Sequence, residues 1–139
     1  AVFGKLNIKT GELVFINAGH ESILTFDKGK NYEYIKSDMP PIGIVKYFTE
    51  SMVKSNTVNL KDKTFVVYTD GVTEGYLKNG EELGAEGVQN IINSIENINP
   101  KNIVLGIEKE LNWGAEKLRD DITCMAINIE NTELIKKTK

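Results

Sequence analysis

The sequence has little cysteine, little proline and no long apolar run. Its single cysteine, Cys124, excludes an internal disulfide and fits a reducing compartment. No stretch approaches the roughly 20 consecutive apolar residues of a membrane-spanning helix, and no basic segment followed by an apolar one opens the chain. We therefore expect a cytoplasmic chain that makes no contact with a membrane.

Neither sign of charge predominates. The formal net charge is -3, and acidic and basic residues are interspersed, so there is no basic stripe to bind nucleic acid. The 139 residues, 40% hydrophobic and 27% charged, suit one compact folded unit. Ala1 opens a strand-like pattern with no leading turn. We therefore expect a piece of a longer polypeptide.

Alternating apolar and polar residues in the first half predict short strands. These predicted strands span 2–8, 12–17, 23–26, 32–35 and 47–53. The segment 63–68 is more uniformly apolar, which predicts a central strand buried on both faces. This strand leads directly into Thr69-Asp70-Gly71.

Helical spacing appears in the second half. An amphipathic helix is predicted by apolar residues at i, i+3, i+4 and i+7, namely Val88, Ile91, Ile92 and Ile95. Asn99 and Pro100 supply an N-cap and a first-turn proline for a second helix, which is predicted to end at Trp113-Gly114. The residues predicted to face inward from it are Val104, Ile107 and Leu111.

The last predicted strand spans 122–129 and is almost wholly apolar, so we expect it to be covered on both faces. Beyond it, we expect residues 131–139 to form a frayed tail. Strands followed by two helices and a final strand predict an α+β fold, in which a mainly antiparallel β-sheet carries both helices on one face.

Two acidic positions flank predicted core strands. Asp70 follows the central strand, and Asp120-Asp121 precedes the last one. Exposed carboxylates on a rigid backbone are good ligands for Mg²⁺ or Mn²⁺, and a pair of such ions promotes hydrolysis of phosphate esters. The alternative is that Asp70-Gly71 is a hairpin turn and that Asp120-Asp121 only ends a loop.

Five segments together resemble one family. They are Asn-Ala-Gly-His (17–20), Pro-Ile-Gly-Ile (41–44), Tyr-Thr-Asp-Gly-Val-Thr-Glu (68–74), Gly-Glu-Glu-Leu-Gly (80–84) and Asp-Asp-Ile-Thr (120–123). In this order they resemble motifs of the stage II sporulation protein E-type phosphatases, which are metal-dependent (type 2C) serine/threonine protein phosphatases. The resemblance runs from Phe3 to Ile129. It implies part of an αββα sandwich, with residues 1–130 forming the C-terminal portion of the phosphatase domain.

The resemblance also implies roles for the acids. Asp70 and Asp120 would ligate two Mn²⁺ or Mg²⁺ ions, with Asp121 beside them as a neighbouring or alternative ligand. The substrate implied is a phosphorylated regulatory protein, such as an anti-sigma-factor antagonist, and an upstream sensor or receiver domain is expected in the parent chain.

One family segment is missing. Nothing here matches the family's Asp-x-Ser-Gly-x-Gly segment, which supplies another metal ligand. We therefore expect that ligand to precede this chain, and expect the chain alone to bind metal weakly and hydrolyse little. The alternative is a non-catalytic module of the same fold that binds a protein partner.

Three further residues are secondary candidates. His20, the only histidine, is either a general acid at the metal-binding edge or a residue that fixes a turn by hydrogen-bonding the backbone. Arg119, the only arginine, is either a bidentate phosphate ligand or a solvated surface residue. Gly71 is a candidate because it directly follows Asp70.

Overall fold

The computed structural model describes residues 1–111 and 120–130. Within these ranges the chain forms strands and α-helices joined by loops, the longest of which covers residues 36–55. The strands are β1 (Val2–Leu6), β2 (Glu12–Asn17), β3 (Ile23–Asp27), β4 (Tyr32–Ile35), β5 (Asn56–Asn59), β6 (Lys63–Tyr68) and β7 (Cys124–Ile127). The helices are α1 (Asp70–Thr73), α2 (Gly84–Ser94) and α3 (Pro100–Glu110). None of the helices in these ranges is long and apolar enough to cross a bilayer.

The strands form two antiparallel sheets. One has the order β1-β2-β5, and the other has the order β4-β3-β6-β7. In the second sheet Leu24 pairs with Val66, and Tyr68 pairs with Cys124. The start of β3, the end of β6 and the start of β7 therefore meet at one end of this sheet.

The central strand β6 is buried on both faces, since alternate residues of a strand point to opposite sides and each side of β6 faces an apolar cluster. Phe65 packs toward the three-stranded sheet, among Phe15, Ile23, Val58 and Leu60. Its neighbours Val66 and Tyr68 belong to a second apolar cluster, shared with Val88, Ile92, Ile103 and Ile107 of α2 and α3. The layers are thus sheet, sheet and helices. The predicted α+β class, with two helices on one face of antiparallel sheet, is confirmed.

The predicted strand over 47–53 is wrong. Pro40, Pro41 and Gly43, whose φ is 88°, interrupt the backbone, and the segment forms a loop with a 3₁₀ turn at Glu50–Met52. Its apolar side chains face no core: Tyr47 is 77% exposed and Phe48 is 52% exposed. The strand forms later, as β5, where Asn56–Asn59 pairs with β2.

The helices agree with prediction apart from two details. Asn99 caps α3, since its side-chain oxygen accepts the Asn102 N–H at 2.9 Å. Ile103 is fully buried, whereas Val104 is only half-buried. The second helix is shorter than predicted, since α3 ends at Glu110 and Leu111 has extended backbone. Trp113-Gly114, where the sequence predicts its end, and the tail 131–139 lie outside the described residues.

The last strand is shorter and less covered than predicted. β7 spans Cys124–Ile127 rather than 122–129. Met125 is 52% exposed, and β7 is an edge strand that pairs only with β6 among the described strands. The expectation that this strand is covered on both faces is therefore wrong at Met125.

Candidate active site

The candidate site lies where β6 ends and β7 begins. The Thr69 N–H donates to the Thr123 carbonyl at 3.0 Å, which extends the β6–β7 ladder by one step. The Thr69 hydroxyl donates to the Asp121 carbonyl at 2.9 Å and accepts the Thr123 N–H at 3.0 Å. Residues 69–71 and 120–123, which meet here, are called the acidic edge below.

Asp70 occupies the first position of α1, a single helical turn. Its carbonyl accepts the Glu74 N–H at 2.7 Å and the Thr73 hydroxyl at 3.1 Å. Its carboxylate Oδ1 accepts the Gly71 N–H at 3.0 Å, and the side chain is exposed. The alternative in which Asp70-Gly71 forms a hairpin turn is thereby excluded, since the chain enters a helix here.

Gly71 brings the two acidic segments into contact. It is buried, and a Cβ atom built on it would lie 2.5 Å from the Asp121 carbonyl oxygen and 3.3 Å from that of Asp120. No side chain fits in that space. The absence of a side chain therefore lets the backbone after Asp70 pack directly against Asp120-Asp121.

Asp120 and Asp121 are both exposed at this edge. The Asp120 Oδ1 accepts the Asp121 N–H at 2.7 Å, which fixes the orientation of that carboxylate relative to its own backbone. The backbone thus brings three aspartates from two stretches of chain to one end of the sheet. Their oxygen donors suit a hard divalent cation.

The acids form only part of a ligand set within the described residues. Across 1–111 and 120–130, no group of three histidine, cysteine, aspartate or glutamate side chains is gathered closely enough to hold a metal ion. A small hard cation of this kind keeps several waters and is held by one or two carboxylates. Asp70 with Asp120 or Asp121 fits that description.

His20 lies in the loop before β3, at the same end of the four-stranded sheet as Thr69. Its N–H donates to the Asn17 side-chain oxygen at 3.0 Å, and its ring Nδ1 lies 3.4 Å from the Glu21 carbonyl oxygen. The buried Asn17 also donates to the Glu21 carbonyl at 3.1 Å. The interpretation of His20 as a turn-fixing residue has these contacts in its favour.

A hydroxyl holds the base of this loop. Ser37 donates to the Asn17 carbonyl at 2.9 Å and accepts the Gly19 N–H at 2.7 Å. Gly19 has a φ of 65°, and a Cβ on it would collide with the Pro41 ring. The segments 17–20 and 41–44 are therefore packed against each other, although they are distant in sequence.

Tyr68 lies buried just beneath the acidic edge. Burial raises the pKa of its phenol well above the ordinary value of 10.0, and the nearby Tyr34 and Glu21 raise it further. Glu21 is thus close enough to Tyr68 to act on it electrostatically. The phenol stays neutral and offers no anion to the site.

Arg119 lies outside the described residues, so its two readings remain predictions. Sequence reasoning missed Thr69, which joins the two acidic segments, and Asn17 and Ser37, which hold the loop that carries His20. Only Thr69 and Asn17 carried a signal, since both stand within the motifs 68–74 and 17–20.

The chain matches a known family along nearly its whole length. Residues 1–130 match the family described as Stage II sporulation protein E (SpoIIE). Protein IcfG from Synechocystis sp. is 28% identical over 130 residues, which cover 90% of this chain and 20% of that protein. The chain thus spans about a fifth of this curated relative.

Solved structures have the same fold. The phosphatase domain of the cell fate determinant SpoIIE from Bacillus subtilis, presoaked with Mn, aligns with a TM-score of 0.64 at 19% identity, over 94% of this chain and 56% of that one. The RsbU and RsbW domains of Rv1364c from Mycobacterium tuberculosis align with a TM-score of 0.66 at 21% identity, over 93% of this chain and 36% of that one. This chain therefore spans little more than half of the SpoIIE phosphatase domain.

Proposed function

Because this chain belongs to the SpoIIE family of type 2C phosphatase domains, we propose that it contributes the acidic edge of a metal-dependent phosphatase that acts on phosphoserine or phosphothreonine. The observation that carries the proposal is the contact between two distant segments. Gly71 packs against the Asp120 and Asp121 carbonyls, so Asp70 and Asp120 stand at the same end of one sheet.

In the proposed centre, Asp70 and Asp120 hold Mn²⁺ or Mg²⁺, with Asp121 as a neighbouring or alternative ligand. When bound, two such ions activate water and neutralise charge on the phosphoryl group during in-line attack. The protein's own part is to keep the carboxylates at fixed spacing on rigid backbone, with their oxygens open to solvent. Secondary roles remain proposed for two residues: a general acid for His20, at the same end of the sheet, and a phosphate ligand for Arg119, which precedes Asp120.

The described acids need at least one more ligand to form a two-metal centre, since no three of the candidate side chains gather there. We propose that it comes from a preceding part of the parent protein, in the segment that the family resemblance implies. Residues 1–130 are then the C-terminal portion of the phosphatase domain. This accords with a chain that covers 56% of the SpoIIE phosphatase domain.

The proposed substrate is a small phosphorylated regulatory protein, such as an anti-sigma-factor antagonist. Likeness to a solved chain that joins RsbU and RsbW domains supports a place in protein-based regulation. A sensor or receiver domain upstream in the parent protein is the matching proposal for control of the activity.

The test is phosphate release from a phosphoserine protein by the parent protein, which would include the preceding segment. We expect release only with Mn²⁺ or Mg²⁺. Asp70→Asn and Asp120→Asn should each lower turnover by at least about 100-fold. Removing a residue that only hydrogen-bonds a metal ligand lowers activity about 10–100-fold, and removing the ligand itself should lower it more. Asp62→Asn is the matched control, because Asp62 is also exposed but precedes the opposite end of β6.

Turnover in Asp70→Asn or Asp120→Asn equal to that of Asp62→Asn would remove the proposed role of that residue. Equal Mn²⁺ affinity in all three variants, together with no phosphate release by the parent protein, would favour the non-catalytic binding module.

A further inference from the structure

We propose that Thr69 is a positioning residue, whose hydroxyl fixes the spacing between Asp70 and Asp120-Asp121. This inference rests on the proposed function, since it concerns the same metal-binding edge. It assigns no contact with substrate to Thr69. The threonine acts through the two acidic segments that it joins.

The geometry for this role is specific to a hydroxyl. The Thr69 oxygen donates its proton to the Asp121 carbonyl at 2.9 Å and accepts the Thr123 N–H at 3.0 Å. The Thr69 hydroxyl oxygen thus forms hydrogen bonds with backbone groups on both sides of Ile122. A methyl group in its place would provide neither bond, whereas a serine hydroxyl would provide both.

The contact reaches both acids through short backbone connections. Thr69 immediately precedes Asp70, and the carbonyl that its hydroxyl binds belongs to Asp121, next to Asp120. Gly71 allows the two segments to come this close, since a Cβ there would lie 2.5 Å from the Asp121 carbonyl oxygen. The hydroxyl pulls the segments together and the glycine permits their approach.

The position of Thr69 separates this role from a general contribution to stability. The residue is only half-buried. In Thr69→Val, water can therefore satisfy the freed carbonyl and N–H, so the fold should survive. Water does not hold two backbone segments at a fixed distance, so the metal-binding geometry should suffer more than stability.

The experiment compares Thr69→Val, Thr69→Ser and Thr25→Val in the parent protein, by calorimetric titration with Mn²⁺ alone and by thermal melting without metal. Thr25→Val is the matched control, because the buried Thr25 hydroxyl has no hydrogen-bond partner within the described residues. We expect Thr69→Val to weaken Mn²⁺ binding by about 10–100-fold, the usual effect of losing a group that orients metal ligands. Thr69→Ser and Thr25→Val should retain wild-type affinity.

A second readout needs neither metal nor substrate. Amide hydrogen exchange at Thr123 should accelerate roughly 2- to 10-fold in Thr69→Val, as expected for one lost hydrogen bond, and should return to the wild-type rate in Thr69→Ser. Wild-type Mn²⁺ affinity in Thr69→Val would overturn the inference, and so would a loss of affinity in Thr69→Ser as large as in the valine variant.

Asp70→Asn in the same titration separates the two proposals. If Asp70→Asn loses Mn²⁺ affinity and Thr69→Val does not, the metal site stands and the positioning role fails. If Asp70→Asn binds Mn²⁺ as the wild type does, the metal site itself fails.

Discussion

Cys124 and Tyr68 pair across β6 and β7, and both are more weakly acidic than usual. Burial raises the pKa of the Cys124 thiol from its ordinary value of 9.0 to about 11. Burial also raises the pKa of the Tyr68 phenol, with Tyr34 and Glu21 adding to the effect. At neutral pH neither group is an anion. Tyr68 and Cys124 are therefore poor nucleophiles, which accords with the proposed hydrolysis by activated water rather than by a covalent enzyme intermediate.

The Cys124 thiol should make stability depend on pH. Between pH 9 and about 11 the unfolded chain releases this proton while the folded chain keeps it, so the free energy of unfolding should fall as pH rises through that window. Urea unfolding of the wild type and Cys124→Ala at pH 8, 9, 10 and 11 measures this. We expect the wild type to lose more stability than Cys124→Ala above pH 9, and parallel curves would contradict the shifted pKa.

Which site residues the sequence could predict depends on how each one acts. Asp70 and Asp120 could be proposed as metal ligands from the sequence, because a carboxylate beside a core strand has a recognisable chemistry. The contact of Thr69 could not, because it is a hydrogen bond to Asp121, 52 positions away. Such pairings depend on strand register, which one sequence read alone does not specify between distant strands.

Helix α3 is amphipathic, and its two faces should respond differently to truncation. Ile107 is 2% exposed and packs against the four-stranded sheet, whereas Leu105 in the same helix is 47% exposed. Ile107→Ala should lower the free energy of unfolding by about 2–5 kcal/mol, because it opens a cavity in the core. Leu105→Ala should cost less than about 1 kcal/mol, since little apolar area leaves water there.

Urea unfolding followed by circular dichroism at 222 nm would compare the two variants of α3. Equal destabilisation by Ile107→Ala and Leu105→Ala would mean that this helix does not pack as described. The helix content of the folded protein, from the same spectra, checks that neither change melts α3 on its own.

The elements that the sequence predicted well are those in which local pattern and tertiary packing agree. β6 and the apolar faces of α2 and α3 are of this kind. In the segment 47–53 the two disagree: the alternating pattern predicts a strand, but no strand among the described residues pairs with it and its apolar side chains stay exposed. β5, with its two asparagines, has weak strand propensity and forms because β2 offers a ladder from Glu12 to Phe15.

The whole described domain is organised around one shared sheet. Neighbouring residues of β6 belong to different cores, Phe65 to the core between the sheets and Val66 to the core beneath the helices. A change in one core therefore displaces a strand that the other core also uses. The two cores should unfold together.

A pair of matched truncations tests this cooperativity. Leu60 and Ile92 are both 0% exposed, and they lie in the sheet–sheet core and the helix–sheet core respectively. Leu60→Ala and Ile92→Ala should each lower the free energy of unfolding by about 2–5 kcal/mol. In both, thermal melts followed by far-ultraviolet and near-ultraviolet circular dichroism should coincide in a single transition. Two separate transitions in either variant would contradict the shared-sheet description.

Tyr68 ends the strand that both cores share, and Thr69 follows it with no intervening linker. A shift in the packing of β6 should therefore also move the Asp70 carboxylate, because only Thr69 separates the strand from Asp70. Over a lineage of such proteins, we expect substitutions in β6 to be constrained both by the packing of the two cores and by the proposed metal site. Compensating substitutions should therefore accumulate in β7 and in the Asp120-Asp121 segment that precedes it.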